Sequence, residues 1–179
     1  MIGKRAGRAH SPRTNGLRDQ ALTGVLPPRP PNTPGNAAVA LMDWGLKDGI
    51  GTVCSGVDGA TSLYLSTGGG VIGVGDDPRA NAASRLFVAG VEAARDSLTP
   101  TDGTLALDAG RIRFVLRVGN DLYGAEYELA AVRRVDHPMH TVWMQAFQVL
   151  AWLQLVGKES GRGWPRARKK STLGWRSVR

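Results

Sequence analysis

The stretch Arg111-Ile-Arg-Phe-Val-Leu-Arg-Val118, Gly119-Asn120, Asp121-Leu-Tyr-Gly-Ala-Glu-Tyr-Glu128 decides how this chain is built. Ile112, Phe114, Leu116 and Val118 alternate with Arg111, Arg113, Val115 and Arg117. That period of two places apolar side chains on one face of a strand. Gly119-Asn120 suits a two-residue hairpin loop. In the register this loop sets, Arg113 lies opposite Glu126 and Arg111 opposite Glu128, while Phe114 meets Ala125 and Ile112 meets Tyr127. Charge pairing on one side and apolar pairing on the other agree on a single alignment. The arginines are explained by their cross-strand glutamates, without a ligand.

Upstream, Thr52-Val-Cys-Ser55, the turn pair Asp58-Gly59, and Thr61-Ser-Leu-Tyr-Leu65 predict another hairpin. With Asp58-Gly59 as its loop, Cys54 sits opposite Leu63, Thr52 opposite Leu65, and Val53 faces Tyr64. Cys54 then shares a face with two leucines, the setting of a buried structural thiol. Before it, Leu41–Lys47 reads as a short helix that stops at Asp48-Gly49. Between the hairpins, Asp77 is a good helix N-cap and Pro78 suits the first helical position. Ala83, Leu86, Phe87, Gly90, Val91, Ala94 and Leu98 then fall on one helical stripe, stopped by Thr99-Pro100. Gly90 in mid-stripe implies close packing on the sheet.

Downstream, a third strand is expected near Ala130–Val135, followed by a helix opened by His137-Pro138 and closed by Gly157. Its inward stripe is Met139, Val142, Trp143, Ala146, Val149, Leu150, Leu153 and Val156. The far side carries Met144, Phe147, Ala151, Trp152 and Leu155, and nothing from Thr141 to Val156 is charged. A helix apolar all round is expected to be covered on both faces. Its sixteen uncharged residues include three glutamines and fall short of the roughly 20 apolar residues that span a bilayer. The expected fold class is therefore α+β: an antiparallel sheet of two hairpins (4–5 strands), a middle helix and a long apolar C-terminal helix.

Charge divides the chain into three parts. Residues 1–36 hold six basic groups and one acid, residues 37–156 nine and thirteen, and residues 157–179 eight and one. The pI near 10.4 thus belongs to the ends, not to the middle. Residues 26–36 hold five of the ten prolines and read as an extended linker. The expected organisation is a disordered basic, Pro-rich segment over 1–36, one domain over 37–157, and a disordered basic tail over 158–179. A single cysteine excludes an internal disulfide and suits a reducing cytoplasm. In the tail, Arg162, Arg166, Arg168, Lys169, Lys170 and Arg176 alternate with Trp164 and Trp175. Basic groups recruit phosphates and indoles stack on bases or sit at a lipid interface, so RNA or an anionic membrane surface is one candidate partner.

The motifs that carry chemistry each have a plainer explanation. Gly68, Gly70 and Gly73 fit Gly-x-Gly-x-x-Gly, but Asp76 and Asp77 stand where a pyrophosphate would sit, and the context is not a βαβ unit. A bulge or bent strand accounts for these glycines. His137 and His140 lie three apart near a helix start with Asp136 beside them, without a third histidine nearby to complete a metal site. No signature surrounds Cys54 as a nucleophile. The sequence accordingly assigns no catalytic residue, cofactor or metal ligand.

In element order the block resembles the roadblock-type dynein light-chain fold and its longin and profilin-like relatives, over about 100 residues. Those are small antiparallel sheets with a long helix on one face, and the resemblance implies a module that dimerises and regulates small GTPases. Ser62-Leu-Tyr-Leu-Ser-Thr-Gly-Gly-Gly-Val-Ile-Gly73 is also similar to a segment of small uncharacterised bacterial proteins. Neither resemblance carries a catalytic residue over. The functional expectation is a non-catalytic interaction or regulatory module. It self-associates through Met144, Phe147, Trp152 and Leu155, or alternatively binds polyanions through its tails.

Overall fold

The computed structural model describes residues 12–73 and 75–159. In chain order these form α1 (Pro12–Thr23), β1 (Ala37–Leu46), β2 (Gly49–Gly56), β3 (Thr61–Leu65), β4 (Gly70–Val71), α2 (Pro78–Ala93), β5 (Thr99–Pro100), β6 (Arg111–Val118), β7 (Asp121–Glu128), α3 (Leu129–Val132) and α4 (His140–Glu159). All strand pairs are antiparallel, in one seven-stranded sheet of order β4-β3-β2-β1-β6-β7-β5. The α+β class stands, with more strands than the two hairpins supply.

The β6–β7 hairpin has the register its sequence dictates: Arg111 opposite Glu128, Arg113 opposite Glu126, Phe114 opposite Ala125 and Ile112 opposite Tyr127. The upstream hairpin is corrected by one residue. Val53, not Cys54, pairs with Leu63, and Cys54 pairs with Ser62. Its loop is three residues long, Val57-Asp58-Gly59, closed by the Gly56 amide donating to the Ala60 carbonyl at 2.8 Å. Gly59 takes the left-handed conformation (φ +91°) that such a loop requires. The slip moves Cys54 to the opposite face from Leu63, beside Leu41 and Tyr64.

The segment expected as a short helix, Leu41–Lys47, lies instead mostly in β1, the central strand between β2 and β6. Both faces of β1 are covered, so apolar residues follow one another without alternation and the two-residue period disappears. The third strand expected near Ala130–Val135 is absent. Leu129–Val132 makes one helical turn leading toward α4. The extra strands are β1 and two stubs, β4 and β5, each two residues long, one at each edge of the sheet.

Helices α2 and α4 cover the front face. Met42, Val53, Leu63, Phe87, Val91, Phe114, Leu116 and Leu153 meet there in the main core. Asp77 caps α2 by accepting the amides of Arg79 and Ala80. Arg79 near the start of α2 meets Glu159 at the end of α4, and Gly90 meets Gln145, so the two helices run antiparallel. A Cβ at Gly90 would run into the Gln145 amide. The close approach that this glycine permits is therefore to α4, not to the sheet. Leu86, assigned to the inward stripe, is 53 % exposed. The last helix begins at His140 and ends at Glu159, with the preceding residues 133–139 in turns.

The largest correction is at the N-terminal end, where residues 12–36 were expected to be disordered. Pro12–Thr23 is helical and lies across the back face of the sheet, over Val39, Leu41, Cys54, Tyr64 and Val115. The Pro-rich stretch after it is an irregular connection that turns at Pro31-Asn32, mostly exposed and tied down where Glu92 accepts the amides of Asn36 and Ala37. A charge-rich segment can order when its charges find buried partners, and Arg18 finds one.

Candidate functional site

The back face carries a salt bridge whose two side chains are both buried, unlike the other ion pairs of the described residues. Arg18 of α1 points into the sheet and is fully enclosed, as is Asp43 of β1. Arg18 Nη2 donates to Asp43 Oδ2 at 2.7 Å and Nε donates to Oδ1 at 3.2 Å, a two-point contact between guanidinium and carboxylate. Thr52 of β2 donates its hydroxyl to Asp43 Oδ1 at 2.6 Å, and Arg18 Nη1 donates to the Gly103 carbonyl at 2.7 Å. Neither buried charge is left bare.

A second arginine works in the opposite direction. Arg117 of β6, also buried, donates to the carbonyls of Ala21 (3.1 Å), Gly24 (2.8 Å) and Gly119 (3.0 Å). It supplies donors and positive charge to the C-terminal end of α1, where the carbonyls lack N–H donors within the helix. Two guanidinium groups thus bracket α1, one reaching down from the helix and one up from the sheet. Between α1 and strands β2 and β3 lies a cavity of about 240 Å³, lined in part by Leu17, Ala21, Val39, Cys54 and Tyr64.

Cys54 is buried here. Enclosure first, and the nearby Asp43 charge second, push its thiol up to about 12. A thiol held there stays protonated at neutral pH and is a poor nucleophile. At the sheet's other end, Arg111 and Arg113 pair with Glu126 at 2.8 Å each, and Arg111 also with Glu128 at 2.5 Å. Partial burial pushes the Glu126 carboxyl up, but hydrogen bonds from Arg113 and Arg111 outweigh it and hold it below the usual range. Among the arginines of β6, Arg117 alone departs from the cross-strand pairing its neighbours show.

The glycine run divides into a turn and an edge strand. Gly68 has φ +102° in the turn after β3, and Gly70-Val71 pairs with Tyr64 and Leu63. Asp77 sits at the start of α2, its carboxyl held at about 2, chiefly by hydrogen bonding from Arg79. His137 accepts the Met139 amide at Nδ1, at 3.1 Å, and His140 Nδ1 lies 3.1 Å from the Val132 carbonyl. Their rings face Tyr127 and Trp143 respectively. Among the described residues no three His, Cys, Asp or Glu side chains come together as a metal site.

The four residues predicted as an interface split into two pairs. Met144 and Leu155 are 51 % and 41 % exposed on the outer side of α4. Phe147 and Trp152 are partly buried against the core; Phe147 packs on Trp143, and the Arg79 guanidinium lies 4.9 Å from the Trp152 ring centre. The uncovered stripe is therefore narrower than the sequence suggests, because α2 covers part of what reads as the far side. No helix among the described residues is long and apolar enough to cross a membrane. Arg162, Trp164, Arg166, Arg168, Lys169, Lys170, Trp175 and Arg176 lie outside the described residues. No family model, curated protein or solved structure matches the chain.

Proposed function

We propose that this chain is a non-catalytic interaction module that self-associates through the outer surface of α4. The observation that carries this reading is the exposure of Met144 and Leu155 on a helix without a charged side chain from Thr141 to Val156. Ala151 lies on the same exposed side, one turn before Leu155, and Leu86 of the neighbouring α2 adds another exposed apolar side chain on the helical layer. Exposed large apolar groups grouped on one helical layer are the usual material of a protein–protein contact. The roadblock-type likeness belongs to the same reading, since a long helix lying on an antiparallel sheet is the plan on which many such modules dimerise.

Sedimentation velocity tests it. The full chain is expected to dimerise at tens of micromolar, and Met144→Glu with Leu155→Glu to weaken the dimer by roughly 100-fold. A wild-type protein that sediments as a monomer at those concentrations rejects self-association.

A second reading has its own observation: eight basic residues against one acid over residues 157–179, interleaved with Trp164 and Trp175. It predicts binding to single-stranded RNA or to anionic vesicles through that segment. Affinity should fall by about 10³- to 10⁵-fold between roughly 50 and 200 mM salt. Unchanged binding after removal of residues 158–179 rejects it.

A further inference from the structure

The two faces of the sheet are held by different means. The front core joins α2 and α4 to the strands through a continuous apolar cluster, whereas the back-face residues form a separate and smaller one. Of α1, Leu22 is buried and Leu17 and Ala21 are half-buried, while Gly16, Asp19, Gln20 and Thr23 face solvent. Twelve residues with a glycine inside are too few to hold a helix alone in water. What keeps α1 in place is largely polar: the Arg18–Asp43 contact with Thr52 and Gly103, and the two bonds from Arg117 to the Ala21 and Gly24 carbonyls. The connection to β1 is irregular, Pro-rich and mostly exposed, and it is anchored to Glu92 only at Asn36 and Ala37, so α1 can leave the sheet without pulling β1 out of it.

We infer that α1 is a latched cover: it lifts from the sheet as one unit when Arg18 leaves Asp43, while the front core and the strands remain folded. Regions with few apolar contacts open separately from the globular core, and the latch gives this opening an all-or-none character. Once open, the back face presents Val39, Leu41, Cys54, Tyr64 and Val115 beside the Asp43 carboxylate. The molecule then has a second apolar surface in addition to the outer side of α4. In the closed state, α1 keeps that surface from other molecules.

Cys54 reports the opening, because it is the chain's only cysteine and α1 covers it. The experiment follows labelling of the full-length protein by a thiol reagent at pH 8, across a urea series below the unfolding midpoint. The expected result is a labelling rate nearly flat in low urea, joining the steep global-unfolding line only near the midpoint. Arg18→Ala should raise the low-urea rate at least about tenfold, the scale of a lost charged hydrogen bond. Val91→Ala, which weakens only the front core, should leave that low-urea rate unchanged. Labelling that follows the full urea slope of global unfolding from zero denaturant overturns the inference. So does an Arg18→Ala rate equal to wild type, or a Val91→Ala rate raised as much as its global stability falls.

Discussion

Replacing Asp43 with Ala is expected to lower the unfolding free energy by about 3–5 kcal/mol, read from the urea midpoint and slope, the slope falling where α1 is released. The variant leaves the Arg18 guanidinium enclosed without its carboxylate and removes the acceptor of the Thr52 hydroxyl. An unpaired charge in a low-dielectric setting costs more than the pair was worth, which is why deletion of one partner is so damaging. The loss has a ceiling: once it exceeds the free energy that docks α1, the helix lifts and carries Arg18 into water. The measured value therefore gauges the docking itself. Arg18→Met combined with Asp43→Leu should recover most of the loss, since two apolar side chains leave no charge stranded. A single-variant loss below about 1 kcal/mol would mean that α1 contributes little to the stability of the fold.

Phe114→Ala is expected to be comparably severe, at about 3–5 kcal/mol. Phe114 is wholly buried on the front face of β6, between Met42 on β1 and Ala125 on β7. Neither neighbouring strand can close on the vacated space, because β6 is hydrogen-bonded to both along its length. The truncation loses the ring's transfer free energy and leaves a cavity as well. Leu86→Ala, by contrast, removes a side chain already half in water and should change stability by less than about 0.5 kcal/mol. Equal losses for the two would contradict the assignment of the front core.

The contrast between the two hairpins shows what was legible before the structure. In β6–β7, charged and apolar faces are distinct, so only one register satisfies both. In β2–β3 both faces are covered: Val53 and Leu63 on the front, Cys54 and Tyr64 on the back. A one-residue slip still buries every large side chain there, so hydrophobic pattern cannot choose, and the three-residue loop at Gly59 does. The strand β1 was hidden for the same reason, being covered on both sides. The helix α1 was hidden for another. Its fold depends on Arg18 meeting Asp43, 25 residues away, and nothing local announces such a partner. Composition alone reads that segment as solvated tail.

The sequence places an apolar stripe on the outer side of α4, and the structure leaves fewer of its large side chains open than that pattern suggests. Met144 and Leu155 lie open, while Trp152 is partly enclosed beside Arg79 of α2, and Phe147 packs on Trp143 against the core. Which helix would cover which side depends on the crossing of two elements nearly fifty residues apart, where Gly90 admits Gln145. The back-face latch was missed altogether. The signal available was Asp43, a lone acid inside the apolar run Val39–Leu46, and it becomes meaningful only once that run is known to be a central strand.

Both outermost strands are two residues long. A strand from another molecule laid along either margin would find only a couple of backbone groups of the terminal stub to pair with, before the chain bends away. Sideways growth of the sheet into ribbons or fibrils has little template from these stubs.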